Sequence, residues 1–244
     1  MNVVGIVAAL EAEARILDSA RSRTDKVRVL PDGTLLAVSG VGLAPAERAA
    51  QALVGAGATA LASWGMAGGL DPTLRAGTIF LPSDVLCSDG RQLSTASEWR
   101  ERLGMALAAQ HPIASGKLFS CAHTIESIAD KALAFSTTGA LAVDMESAAI
   151  AAIAARHKLP FIAVRVIVDT AGDALPHAVV AATRSGRLRV WCLIASLACA
   201  PGELAALWRI ARRYRAATRA LLAVARAGSL AESAFPALTD AGAL

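Results

Sequence analysis

Short aliphatic runs alternate along the chain with longer alanine-rich stretches in which apolar residues recur at helical spacing. That alternation predicts an α/β fold: a single domain with a mostly parallel, twisted central sheet flanked by helices on both faces. The first strand is predicted over Asn2 to Ala8, with a helix starting near Glu11. Two strands follow around Val27 to Leu30 and Leu35 to Ser39, with Pro31, Asp32 and Gly33 turning the chain between them. A helix from Pro45 to Val54 carries its proline in the first turn, where a missing N–H costs nothing.

Ala60 to Trp64 reads as a buried strand running into Gly65-Met66-Ala67-Gly68-Gly69-Leu70. Further strands are predicted at Thr78 to Leu81, Leu118 to Cys121, Leu141 to Val143 and Phe161 to Val168. Between the last two, a helix from Met145 to His157 places Met145, Ala148, Ala149, Ala152 and Ile153 on one face. A long helix from Glu203 to Ala227 pairs an apolar stripe with arginines. The expected domain spans residues 1–227, and residues 228–244 read as a weakly structured tail.

Composition narrows the class. The chain is 55% hydrophobic but only 4% aromatic, so its apolar surplus is aliphatic and suits helices packed closely on a sheet. The net charge of +4 is spread out except between Arg184 and Arg226, a weaker basic footprint than a nucleic-acid binder shows. Cys87, Cys121, Cys192 and Cys199 form no CxxC pair and read as small core residues; the four histidines have no metal-ligand spacing. The expectation is a reduced, cytosolic protein without metal or other cofactor. The uncharged stretch from Ala52 to Leu70 approaches membrane-spanning length, but five glycines interrupt it.

Three acidic residues stand where predicted strands end: Glu13, Glu146 and Asp169. In doubly wound sheets that edge holds the ligand crevice, although acidic residues at helix N-termini also serve the helix dipole. Ser39-Gly40-Val41-Gly42 precedes a helix and is placed either to present backbone N–H groups to an anion or simply to turn the chain. Arg165 lies within an apolar strand and calls for a buried carboxylate partner.

Gly5-Ile6-Val7-Ala8-Ala9-Leu10-Glu11-Ala12-Glu13 resembles the opening of the methylthioadenosine/S-adenosylhomocysteine nucleosidases, members of the nucleoside phosphorylase superfamily. Trp64-Gly65-Met66-Ala67-Gly68-Gly69-Leu70 resembles their glycine-rich loop near the nucleophile, and Ala142-Val143-Asp144-Met145-Glu146-Ser147-Ala148 their ribose-binding segment. Val164-Arg165-Val166-Ile167-Val168-Asp169 resembles their segment ending in the general acid. The resemblance implies that Glu13 activates the nucleophile, Asp169 protonates purine N7, Glu146 accepts from the ribose hydroxyls and Met145 packs on the sugar. It places Gly42, Met66, Ala67 and Gly68 at the nucleophile or anion pocket, and His123, Thr124, Ile125 and Val168 at the base pocket. A lone histidine on a strand-to-helix turn such as His123 is more often a cap or a surface residue.

Three departures from the family pattern stand out. Val168 and Met66 replace serines, and Cys121 to Ile125 lacks the adenine-stacking aromatic. Asp169 therefore needs a partner other than that serine, or sits more freely.

N-ribosidic cleavage builds positive charge on the sugar and negative charge on the base. The acid must hold a proton near neutrality, which burial favours, while the base must be ionised to take one from water. A phosphate oxygen about 4 Å from the Glu13 carboxylate would meet a repulsion of roughly 4 kcal/mol per charge pair at an effective dielectric near 20, which favours water. Arg15 is the residue through which phosphate would enter as co-substrate.

Ala140 to Ser147, Thr170 to Pro176 and the basic C-terminal helix resemble the hopanoid-associated phosphorylase group. This implies removal of adenine from adenosylhopane, a lipid-linked nucleoside, with methylthioadenosine/S-adenosylhomocysteine nucleosidase or phosphate-dependent purine nucleoside phosphorylase activity as the alternatives. The expected partners are thus a small or lipid-linked purine nucleoside, a second copy of the chain in a homodimer, and a membrane surface contacted peripherally through residues between Arg184 and Arg226. A non-catalytic nucleoside-binding protein is the reading from another class.

Overall fold

The computed structural model describes residues 2–18, 26–174, 204–226, 230 and 234, with backbone alone at 204–210. The strands are β1 (Val4–Ala8), β2 (Arg28–Val29), β3 (Leu35–Val38), β4 (Ala60–Gly69), β5 (Ile79–Phe80), β6 (Asp84–Cys87), β7 (Gln92–Ser94), β8 (Ile113–Ala114), β9 (Lys117–Ser120), β10 (Ala142–Asp144) and β11 (Phe161–Asp169). The helices are α1 (Glu11–Leu17), α2 (Leu43–Gly55), α3 (Ser97–Ala108), α4 (Ile128–Thr138), α5 (Ser147–His157) and α6 (Leu204–Arg226). One sheet holds all the strands, in the order β2-β3-β1-β4-β10-β9-β6-β7, with β11 on β4, β5 on β11 and β8 on β5. Most pairings are parallel; β10 on β4, β5 on β11 and the two hairpins β2–β3 and β6–β7 are antiparallel.

Strand alternation divides the core between the two sheet faces. Leu61 and Ala67 of β4 and Phe161, Ala163 and Ile167 of β11 face α2 and α5. Ala60, Ala62 and Trp64 of β4 and Ile162, Val164 and Val166 of β11 face Ala14 of α1, Trp99 and Leu103 of α3, and Ala217, Leu221 and Val224 of α6. The apolar side of α6 over residues 211–226 is thus spent on the protein's own sheet, and Leu230 joins the same cluster. The stretch from Ala52 to Leu70 is no membrane span: it is divided between the end of α2 and β4.

β4 runs five residues further than the sequence predicts, and that extension creates the site. One edge of β4 is taken by β11 from Leu61 to Gly68. The opposite edge pairs with β1 only from Ala60 to Trp64, and with β10 only at Gly68 and Gly69. Gly65, Met66 and Ala67 are left unpaired on that edge. A crevice opens there between the end of β1 and the end of β10, the kind of place where ligands bind in open α/β sheets.

Candidate active site

The crevice is a cavity of about 180 Å³ lined by Ala9, Leu10, Glu13, Val41, Met66, Ala67, Gly68, His123, Thr124, Ile125, Val143, Asp144, Met145, Glu146, Val168 and Asp169. Every site residue named from the sequence lines it except Gly42, which touches the site through its backbone. The strand-end carboxylates Glu13, Glu146 and Asp169 thus share one enclosure although they are far apart in the chain.

Glu13 sits in the first turn of α1, which starts directly after β1. Its carboxylate accepts from Leu10 N–H at 3.0 Å and from Met66 N–H at 2.9 Å. Trp64 Nε1 donates to its backbone carbonyl at 3.2 Å and pins the helix to β4. Burial pushes the Glu13 carboxyl up, while Arg165 and the backbone N–H donors pull it down. Gly65 is the point of closest approach: a Cβ there would lie 2.6 Å from Glu13 Oε1 and 2.9 Å from Arg165 Nη1, so no side chain fits without moving the site.

Glu146 caps α5, and its Oε1 accepts from Gly42 N–H at 2.9 Å. The backbone donor at Gly42, at φ 105°, is therefore directed at a protein carboxylate rather than left open to an anion. Burial, reinforced by Asp144, pushes Glu146 up to about 7 against the pull of Arg165 and Gly42. Met145 lines the cavity beside it and accepts from the Thr124 hydroxyl at 3.6 Å.

Beneath the carboxylates lies a buried polar layer. Arg165 donates from Nε to Asp144 Oδ2 at 2.9 Å and from Nη2 to Asp144 Oδ2 at 2.6 Å and Ser63 Oγ at 2.6 Å. The carboxylate partner expected for Arg165 is thus Asp144, and Ser147 extends the network to Ser63.

Asp169 closes the far wall. A bulge between Ile167 and Asp169 sets Asp169, rather than Val168, opposite Gly68, so that both Val168 and Asp169 reach the cavity. The partner that replaces the missing serine is Lys131 of α4, only 1% exposed. Its Nζ donates to Asp169 Oδ2 and, at 2.9 Å each, to the carbonyls of Thr170 and Asp173. Burial raises the Asp169 carboxyl, whereas Lys131 and then Arg213 act against it. Neither Lys131 nor α4 is foreseen from the sequence: the helix turns Lys131 and Ala134 inward and leaves Ile128 and Leu133 exposed, the reverse of an ordinary amphipathic pattern.

Other expectations resolve as follows. His123 stands exposed at the rim, and its carbonyl accepts from Cys121 Sγ. Arg15 pairs with Glu11 at 3.4 Å on the outer side of α1 and does not line the cavity. Cys87 and Cys121 are buried free thiols, while Cys192 and Cys199 lie outside the described residues. Among the described residues, no group of three or more His, Cys, Asp or Glu is disposed to hold a metal ion, and no helix is long and apolar enough to cross a membrane.

The α/β sheet carries a carboxylate-lined crevice at its strand ends, and sequence comparison gives the family. The model of the phosphorylase superfamily matches residues 32–189, well over half the chain, and the protein belongs to that superfamily. No functionally curated protein matches it. Among solved structures it is similar to the 5′-methylthioadenosine/S-adenosylhomocysteine nucleosidase of Neisseria meningitidis in complex with methylthio-immucillin-A, at 19% identity and TM-score 0.65 over 92% of this chain and 98% of that one. It is also similar to the futalosine hydrolase of Helicobacter pylori, at 15% identity and TM-score 0.66 over 91% of this chain and 97% of that one. The corresponding nucleosidase of Helicobacter pylori gives 15% and 0.66 over 91% and 97%. At these identities the likeness is one of fold.

Proposed function

We propose that the protein hydrolyses the N-ribosidic bond of an adenosine-type nucleoside. The observation that carries this reading is the meeting of Glu13, Glu146 and Asp169 around one cavity. In this reading Glu146 accepts hydrogen bonds from the ribose hydroxyls, Asp169 delivers a proton to purine N7, and Glu13 takes a proton from the attacking water. Electrons of the breaking C–N bond pass to the base, and the water oxygen forms the new bond to the anomeric carbon. Arg15 is turned away and, among the described residues, no arginine or lysine side chain lines the cavity, so a phosphate dianion would meet carboxylates at the wall, with Arg165 and Lys131 behind them. Water is therefore the proposed nucleophile, and no cofactor enters the scheme.

For the substrate we propose adenosylhopane. What supports this choice is the resemblance of Ala140 to Ser147 and Thr170 to Pro176 to the hopanoid-associated phosphorylase group. A small soluble nucleoside is the second reading, favoured by the fold likeness to 5′-methylthioadenosine/S-adenosylhomocysteine nucleosidases. Incubation with adenosine, 5′-methylthioadenosine and adenosylhopane, each with and without phosphate, tests the scheme. Free adenine from a substrate, together with its sugar product (ribose, 5-methylthioribose or the ribosyl lipid) and no phosphate requirement, is expected; the corresponding sugar 1-phosphate, or no base release from any of the three, would overturn it.

A further inference from the structure

A carboxyl that protonates a leaving base must carry a transferable proton, yet the candidate acid Asp169 is clasped by a lysine. An ammonium ordinarily holds a neighbouring carboxyl ionised, and a fixed carboxylate cannot act as an acid. The three acceptors around Lys131 resolve the conflict. In the ion-pair form, an ammonium has three donors, and the structure supplies three acceptors: Asp169 Oδ2, the Thr170 carbonyl and the Asp173 carbonyl. In the neutral form, an amine keeps two donors for the two carbonyls and turns its lone pair to the Asp169 O–H. Every hydrogen bond is satisfied in both forms, so the proton can sit on either partner without an orphaned polar group in a buried site.

We infer that Lys131 is a positioning and proton-supplying residue that acts through Asp169, the lysine–aspartate pair rather than the lone carboxyl being the proton reservoir for the departing base; this rests on the proposed nucleosidase reading. As the ribosidic bond breaks, the one proton the pair shares moves from Lys131 Nζ to Asp169 and from Asp169 to N7, leaving an amine and a carboxylate, and the amine then regains a proton from solvent while Glu13 gives up the one it took from the attacking water. The product is the N7-protonated neutral base, and no other reactant is required. Other charges face the pair, and Arg213 favours the ionised form of Asp169. On the β11 side Asp173 accepts from Thr170 and pairs with Arg213 of α6. Glu13 and Glu146 face the same cavity from the ends of β1 and β10.

The pair predicts different outcomes for two substitutions. Lys131→Arg keeps a positive charge but a group that releases no proton in a protein, so Asp169 stays ionised without resupply. Adenosine cleavage is expected to fall at least about a hundredfold at every pH, the low end of a general-acid contribution. Lys131→Met removes the cation, leaving Asp169 as a buried carboxylic acid. That variant is expected to work at low pH and to lose activity as pH rises, its basic limb lying below that of wild type. Cleavage of 4-nitrophenyl riboside, whose leaving group needs no proton, serves as the control and is expected to stay within about threefold in both variants.

If Lys131→Arg retains the wild-type rate and pH limb on adenosine, or if both substrates fall in parallel in folded variants, the relay is wrong and Lys131 is only structural. If wild type cleaves neither substrate, the nucleosidase reading fails and takes the relay with it. Should neither variant fold, wild type alone decides. The basic limb of its kcat profile is expected to move strongly with temperature, as an ammonium does, and a limb nearly independent of temperature, as for a carboxyl, would overturn the relay.

Discussion

Arg165 Nη2 lies 2.6 Å from Asp144 Oδ2 and 3.9 Å from Glu146 Oε2, so the buried cation is committed to one of the two carboxylates and only biases the other. This division separates support from chemistry. Asp144 and Arg165 are both almost fully buried and joined by two hydrogen bonds, and Glu146 keeps an edge toward the cavity. Removing one member of a buried pair leaves an uncompensated charge, a loss of about 3–5 kcal/mol. Arg165→Met is therefore expected to lower unfolding stability by that amount in urea titration. A loss below about 1 kcal/mol, the range of an exposed pair, would contradict the assignment.

Glu146 carries a pH signature. Its carboxyl is pushed from 4.5 to about 7 by burial and by Asp144. Across that window the folded protein keeps a proton that the unfolded chain has released, so stability falls as pH rises and is greatest below the lower value. Glu146→Gln cannot ionise, and its Tm relative to wild type is expected to improve from pH 5 to pH 8. Parallel Tm curves would show that Glu146 is not the group responsible. The same variant is expected to lose the preference for ribo over 2′-deoxy substrates, since the charged acceptor for the hydroxyls is gone.

Asp169→Asn removes the transferable proton while nearly preserving shape. A fall in kcat of at least about a hundredfold on purine nucleosides is expected with the fold intact by circular dichroism. Near wild-type turnover would remove Asp169 from the mechanism.

The central strands were readable because their apolar runs are long and because β1, β4, β10 and β11 each end at a recognisable acidic or glycine-rich segment. What could not be read were features set by tertiary pairing. The extension of β4 through Gly69 depends on β10 joining its edge, and the bulge that aims Asp169 depends on register with Gly68. α3 escaped because its buried anchors Trp99, Leu103 and Leu107 are sparse among charged residues, and α4 because a lysine occupies its inner face. Lys131 became meaningful only once Asp169 was placed against it.

The outward apolar residues of α4 bear on the proposed homodimer. Ile128 and Leu133 are 50% and 61% exposed and are the apolar side chains α4 offers to a second copy of the chain. A dimeric mass is expected from light scattering at micromolar concentration, with Leu133→Glu shifting it toward monomer. A monomeric wild-type mass would refute the dimer.

The outer face of α6 is where the proposed membrane contact can be tested. Arg212, Arg215, Arg219 and Arg226 recur at helical spacing along it, and Arg75 joins the first three around a cleft that also includes Thr170, next to Asp169. The inner face is already occupied, with Ala217, Leu221 and Val224 packed on the sheet, so residues 211–226 offer a lipid surface charge rather than an apolar stripe. The other apolar candidate, Val190 to Ile194, lies outside the described residues. Attachment through arginines alone has to be electrostatic, and screening shortens from about 10 Å at 0.1 M salt to about 3 Å at 1 M. Flotation with anionic vesicles is therefore expected at low salt and lost at high salt. A double substitution, Arg215→Glu with Arg219→Glu, is expected to abolish it while leaving cleavage of soluble adenosine unchanged. Binding that persists at 1 M salt would move the contact to an apolar segment elsewhere, and no binding at low salt would remove the membrane from the account and leave a soluble nucleoside as the better substrate.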